Sequence, residues 1–410
     1  MCLNFCSHDG LFKRALHSEG EMPFSPEPFC KLREAISSQS SRAVPILSDL
    51  SLHGKYRPDT LLLLFHNLMT LSSLRFSLAT SILVAVLPGV SYAAGGQFTD
   101  LTKDSPILPA ATYLVEKGIM QSAPLFKPND KVTRAQAAKV LVAALVKTEE
   151  LSKITTSSFT DVPAGQWFTS YAEAARLMGI VDSVPTFNPN KVVTKAAFLK
   201  MLFTSRKLDY KGTVADLKSP LASDVRDPND WSFPVMRYAF AVSTIDAKKD
   251  GSLQPGAELT RGEMALIYYR LDKFLAGQRT QALLSETETE VSNTLQMLTD
   301  KNIEQAEWAV ARAVLAARGA LIARPAEPLV KAAVKVAEGF QSLVVGYKAG
   351  VSGDLDGAIT SAKNAYTLAD KAKTFSPGLS SLTTQMQTIA KNMAEEARKA
   401  KVQPAPAPKK

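Results

Sequence analysis

The sequence predicts an all-α protein, and two observations carry the prediction. The middle of the chain repeats itself in a helix-loop-helix pattern, and the last third spaces its apolar residues at steps of three and four with few turn formers. A third observation sets the domain plan: at 410 residues and 46% hydrophobic content the chain is long enough for two or three globular units.

The repeat has an offset of 61 residues and runs without a gap through two copies. Phe98-Thr99-Asp100 falls on Phe159-Thr160-Asp161, Gly118-Ile119 on Gly179-Ile180, Phe126 on Phe187, Pro128-Asn129 on Pro189-Asn190, and Val132-Thr133 on Val193-Thr194. A third copy follows with small insertions. In it Asp224-Val225 answers Asp161-Val162, Trp231 answers Trp167, Pro255 answers Pro189, and Leu259-Thr260-Arg261 answers Val193-Thr194-Lys195. The copies divide the chain at residues 94–150, 151–212 and 213–275.

Each copy has the same local logic. Ala111, Leu114 and Val115 lie at helical spacing, and Gly118 can end that helix in the left-handed conformation. A loop with Phe-x-Pro, or Leu253-Gln254-Pro255, leads to a second helix start. There Thr133-x-x-Gln136 and Thr260-x-x-Glu263 are capping boxes: the Thr oxygen takes an orphan backbone N–H, and the Gln or Glu reaches back. In the middle copy Thr194 keeps the cap but Ala197 cannot reciprocate, so that start is expected to be the weakest.

With these residues in place the copies resemble S-layer homology domains. That family's pattern is an opening Phe-x-Asp-Val, an aromatic residue, a Gly-Ile, a Phe-x-Pro and a Thr-Arg-Ala-Glu helix start. The resemblance covers residues 97–274 and implies three repeats about a pseudo-threefold axis. Its grooves are implied to bind a secondary cell-wall polymer, pyruvylated or not, or a related peptidoglycan-linked glycan. Carried over by position, the polysaccharide-binding candidates are Arg134 and Arg261, with Lys195 where the family has Arg; Asp100, Asp161 and Asp224; Trp167 and Trp231; and Gly118 and Gly179.

Physical reasoning supports the arginines. A cation gains nothing from the dipole at a helix N-terminus, whereas a bound carboxylate is favoured by both that dipole and a guanidinium fork. The alternative is a solvated or structurally paired Arg. Lys195 lacks the fork, so its groove is expected to be weak or silent. The aspartates fit sugar hydroxyls or local backbone capping equally well, and the tryptophans fit stacking on a sugar or packing under the next helix. Two departures stand out: Pro106-Ile107 replaces the aromatic of copy one, and Ser243-Thr244-Ile245 replaces the Gly-Ile of copy three.

Residues 276–401 read as a helical bundle of four helices, broken at 325–328, 350–353 and 376–378. The clearest stripe is Leu329, Ala333, Val336, Phe340, Leu343, Tyr347. Its first helix is expected to be long, from about Arg279 to Ile322, and an extended coiled-coil-like stalk is the alternative. Asp354-Leu355-Asp356-Gly357 opens like a calcium loop, but Ala365 stands where the closing carboxylate belongs, so a turn and helix cap is expected. Glu286, Glu288, Glu290, Glu304 and Glu307 read as a solvated face, and residues 402–410 as a disordered Pro/Ala/Lys tail.

The front of the chain speaks to location. Residues 69–93 read as a signal peptide: Arg75, the apolar run Ile82 to Leu87, Pro88-Gly89, and small residues at Ser91 and Ala93. The alternative is a buried core helix. Residues 1–68 then read as an upstream extension that is never translated, with Met69 as the true start. All three cysteines and all four histidines precede Met69, so a chain processed near Ala94 contains neither. That excludes Cys nucleophiles, Ser-His-Asp triads, His/Cys zinc sites and disulfides. Eight Lys/Arg against seven acids in residues 1–93 leave about +8 of the +9 net charge on the remainder.

A mildly basic exported chain suits anionic wall polymers or lipid surfaces, and no Lys/Arg run with interleaved aromatics points to nucleic acid. The expected function is therefore non-enzymatic anchoring of a secreted protein to the cell wall or envelope, with the helical third as a spacer, display or self-association domain. No cofactor or metal is expected. An anchored wall hydrolase is disfavoured because about 130 Ala-rich helical residues offer no cleft with paired carboxylates. An outer-membrane-to-wall tether is the other alternative; no alternating strands follow the repeats, so it requires the C-terminal helices themselves to contact lipid or an envelope protein partner.

Overall fold

The computed structural model describes residues 98–402. The expected upstream extension, signal peptide and Pro/Ala tail beyond Val402 lie outside the described residues. Among the described residues the fold is all helical, with four isolated β-bridges in place of strands.

Copy one contributes α1 (Ile107–Glu116), α2 (Arg134–Ala143) and a short α3 (Thr148–Leu151). Copy two contributes α4 (Thr169–Leu177) and α5 (Lys195–Ser205), and copy three α6 (Phe233–Ala241) and α7 (Arg261–Leu275). The second helices start where the sequence says they should. Complete capping boxes form at Thr133/Gln136 and Thr260/Glu263, while Thr194 accepts only from the Ala197 N–H at 3.3 Å.

The copies close into a ring. Val193 N–H donates to Val132 C=O at 3.0 Å, Leu259 N–H to Val193 C=O at 2.9 Å, and Val132 N–H to Leu259 C=O at 3.0 Å. The bridges obey the same cyclic rule, pairing Thr133 with Val192, Thr194 with Glu258 and Thr260 with Lys131. First helices pack on the preceding copy's second helix: α4 on α2, α6 on α5, and α1 around the ring on α7. The apolar faces are thus covered by neighbours. Phe126, Phe187 and Leu253 are buried in the loops between the copies, each worth about 1.5–3 kcal/mol of transfer from water.

The C-terminal third has five long helices rather than four: α8 (Thr280–Thr299), α9 (Ile303–Ala323), α10 (Pro328–Ser352), α11 (Leu355–Phe375) and α12 (Ser380–Val402). The expected long first helix is cut at residues 300–302. Lys301 adopts φ of 60° there, and Asn302 caps α9 by accepting from the Gln305 N–H at 3.1 Å. Each helix packs on the next, and α10, buried along the expected stripe, also touches α8 and α12. This is a bundle and not an extended stalk. Asp354 caps α11 through the Gly357 N–H at 2.8 Å, as expected.

The bundle docks on copy three, α9 lying against α6. At Gly319 a Cβ would stand 1.7 Å from the Ala241 carbonyl oxygen, so only glycine allows this approach. Beside it Arg312 forms a bidentate pair with Glu290 (2.6 and 2.9 Å) and donates to the Leu221 carbonyl at 2.7 Å. That corrects the reading of Glu290 as part of a solvated face. It is buried at 2% exposure, and a buried carboxylate persists because a guanidinium on the neighbouring helix satisfies it.

Candidate binding grooves

Arg134, Lys195 and Arg261 are each the first residue of a second helix. The N–H groups at these starts are already used. Arg134 and Ala135 donate to Lys191 and Pro189 carbonyls, Lys195 and Ala196 to Ala257 and Pro255, and Arg261 and Gly262 to Asp130 and Pro128. The expectation that a ligand carboxylate sits on the helix dipole is therefore corrected: the neighbouring copy's loop holds that place.

The side chains reach the same loops. The Arg134 guanidinium lies 5.2 Å from the Phe187 ring centroid and that of Arg261 5.1 Å from Phe126, with Arg261 Nε also donating to the Phe126 carbonyl at 2.7 Å. Lys195 Nζ donates to the Leu253 carbonyl at 3.2 Å and is buried. Burial lowers the pKa of all three cations; Asp182 and Asp161 oppose this at Arg134, as do Asp130 and Asp100 at Arg261. These residues are half structural, bolting each copy to the next.

The aspartates form one repeated clamp. Asp100 accepts from Phe126 and Lys127 N–H at 2.8 and 2.6 Å, Asp161 from Phe187 and Asn188 at 2.6 Å each, and Asp224 from Leu253 and Gln254 at 3.0 and 2.7 Å. Burial works against the Asp100 charge, yet those two N–H groups and the Arg261 charge take its carboxyl below its usual value. Both oxygens of each clamp are thus engaged by backbone. Gly118 and Gly179 end α1 and α4 at φ of 67° and 68°, and Ser243 holds the same conformation at 55° in copy three. Their role is to turn the chain into the groove wall.

Two grooves open between the copies. One, of about 390 Å³, is lined by Arg261 and Met264 from copy three, Ile119, Met120, Gln121, Gln136, Lys139 and Val140 from copy one, and Trp167 from copy two. The other, of about 220 Å³, is lined by Arg134 from copy one, Ile180, Val181, Asp182, Ala197, Lys200 and Met201 from copy two, and Trp231 from copy three. They are the same site moved one step around the ring, each built from all three copies. Trp167 and Trp231 are 54% and 56% exposed, so they are groove walls and not core residues under the next helix.

By the same rule a third groove would combine Lys195, Leu266 and Pro106. Lys195 is buried, Leu266 stands where the open grooves have Lys139 and Lys200, and Pro106 stands where they have Trp167 and Trp231. Neighbouring Ile107 presses its Cδ1 to within 2.7 Å of where a Gly262 Cβ would be.

Lys139 and Lys200 were not singled out by sequence reasoning. Their signal was their shared place six residues after Thr133 and Thr194. Lys139 Nζ lies 5.6 Å from the Trp167 ring centroid, and Lys200 Nζ lies 3.6 Å from Asp182.

The family model described as S-layer homology domain matches residues 97–138 and 158–199. The chain carries S-layer homology domains. The match takes in copies one and two; copy three shares the aspartate clamp, the capped helix and the ring hydrogen bonds. The chain is 30% identical over 135 residues, 32% of its length, to "S-layer protein sap" of Bacillus anthracis, and 28% identical over 200 residues, 47%, to "Surface-layer 125 kDa protein" of Lysinibacillus sphaericus. It is 30% identical over 177 residues, 41%, to "Cellulosome-anchoring protein" of Acetivibrio thermocellus. These matches span only 16%, 16% and 37% of the relatives' own lengths.

Among the described residues no group of His, Cys, Asp and Glu could hold a metal ion, and no helix is long and apolar enough to cross a membrane.

Proposed function

We propose that the three repeats hold this chain non-covalently at the bacterial cell surface by binding an anionic polymer of the wall, and that α8–α12 serve as a spacer, display or self-association domain without catalytic activity. One observation carries the reading: two equivalent grooves each set an Arg, a Lys and an exposed Trp against one another. That set suits an acidic glycan, the cations taking a carboxylate and the indole a sugar face. The kinship with surface-layer proteins and with a cellulosome-anchoring protein supports the envelope location. A pyruvylated secondary polymer, which the family resemblance implies, supplies such a carboxylate on a sugar ring.

The test is co-sedimentation of the chain with isolated wall sacculi before and after the secondary polymer is stripped. Binding that disappears on stripping is the expected result. Equal sedimentation with stripped walls would move the site to peptidoglycan, and none with either would end the wall-binding reading.

A further inference from the structure

The two open grooves share their cations and their tryptophan and differ at two polar places on the wall: Ala197 answers Gln136, whose Oε1 is taken by the Thr133 N–H, and the other difference is one of charge. Arg134 answers Arg261, Lys200 answers Lys139, and Trp231 answers Trp167, but Asp182 answers Gln121. Asp182 Oδ2 lies 3.6 Å from Lys200 Nζ, and its charge also acts on Arg134. In the other groove no lining residue is acidic, and Lys139 lies over the Trp167 and Tyr171 rings at 5.6 and 5.8 Å instead of on a carboxylate.

The acids outside the lining do not cancel this difference at the lysine. Asp100 and Asp161 are equivalent clamps, each with both oxygens on backbone N–H groups, and so act alike in the two grooves. Asp130 acts on Arg261 from outside the lining, and nothing comparable lines the wall beside Lys139.

We propose that Asp182 is a specificity-determining residue that makes the grooves unequal. The Arg261–Lys139–Trp167 groove is the preferred site for a carboxylated sugar. The Arg134–Lys200–Trp231 groove carries its own carboxylate and discriminates less between acidic and neutral sugars. The inference rests on reading both grooves as glycan sites. Asp182 is well exposed, with its side chain at 77%, so the pair is screened by water and the expected difference is about two- to fivefold.

The chain carries its own reporters. Its three tryptophans are Trp167 in one groove, Trp231 in the other, and Trp308 packed in α9 away from both. Indole N–H resonances of the full chain would be followed by NMR during titration with methyl β-glucuronide and with methyl β-glucoside, which differ only in the carboxylate.

In the wild type the Trp167 resonance should respond at about two- to fivefold lower glucuronide than Trp231. The glucoside should not separate the two, and Trp308 should stay still. Asp182→Gln should move the Trp231 response toward that of Trp167, and Gln121→Asp should weaken Trp167 by about the same factor. An unmoved Trp308 signal reports that each variant is folded. Equal wild-type responses, no response in either groove, or an Asp182→Gln protein whose Trp231 behaves as before would overturn the proposal. If sedimentation with sacculi persists in those cases, only this inference fails; if it is lost as well, the wall-binding reading fails with it.

Discussion

Arg261 does two jobs, and a pair of substitutions separates them. Its Nε donates to the Phe126 carbonyl at 2.7 Å and its guanidinium covers the Phe126 ring at 5.1 Å, so it fastens copy three to copy one. Truncation to alanine removes a charge-assisted hydrogen bond worth about 1.5–3 kcal/mol and a partly buried cation–π contact of about 0.5–1 kcal/mol. After some of the carbonyl's loss is repaired by water, a net cost of about 2 kcal/mol is expected. Lysine should behave differently. Lys195 shows the geometry: its Nζ reaches the equivalent Leu253 carbonyl at 3.2 Å. Arg261→Lys should therefore lose less than about 1 kcal/mol of stability while the groove loses its bidentate fork. The Trp167 indole reads both effects, through urea denaturation and through glucuronide titration. If Arg261→Lys were as unstable as Arg261→Ala, or bound as tightly as the wild type, the division of labour would be wrong.

Three further outcomes are expected. Lys195→Arg alone should not add a third functional groove, because Leu266 and Pro106 remain; the number of glucuronide sites counted by calorimetry should stay at two. Gly319→Ala should cost about 1–3 kcal/mol, since its Cβ collides with the Ala241 backbone and not with a side chain that can move, and amide exchange should rise on both α6 and α9. Burial, then the charges of Glu290 and Asp246, push Glu286 up to about 7 against the pull of Arg312 and Arg270. Its folded value exceeds its unfolded one, so its contribution to stability is full below about pH 4.5 and is lost as pH rises through 7; the melting midpoint should fall between pH 5 and 8, and Glu286→Gln should flatten that slope.

Much of the fold was legible because its signals are local. The capping boxes at Thr133 and Thr260, the half-formed cap at Thr194 and the Asp354 cap follow from residues within four positions of one another. The break between α8 and α9 was hidden because the apolar spacing runs on through Leu298 and Ala306, and what interrupts it is a single left-handed Lys301 followed by an Asn cap. Glu290 was misread for a different reason. Its partner Arg312 lies 22 residues away, and only the folding back of α9 on α8 makes that pair visible. The grooves suffered most. Aligning copies shows which residues are equivalent, but each groove draws its Arg, its Lys and its Trp from three different copies, and that combination is set by the ring.

The same geometry explains the third position. Lys195 belongs to copy two, Leu266 to copy three and Pro106 to copy one, and along the sequence they look like three unrelated departures. The cyclic rule brings all three to one groove and leaves the other two with full sets. Had the departures fallen in a single copy, each would have damaged a different groove, because every copy supplies a different wall to each. None of the three disturbs the ring itself: Lys195 still bonds the next copy's loop, and Ile107, beside Pro106, packs against Gly262 in the first turn of α7. The repeat domain therefore keeps its threefold scaffold while offering two cationic, Trp-walled sites, and the scaffold's other product is the surface on copy three to which α9 is fastened. A silent groove and a docked bundle are compatible because the backbone ring hydrogen bonds close the scaffold whether Arg or Lys stands at the helix start, and Lys195 still makes the inter-copy bond that Arg261 makes.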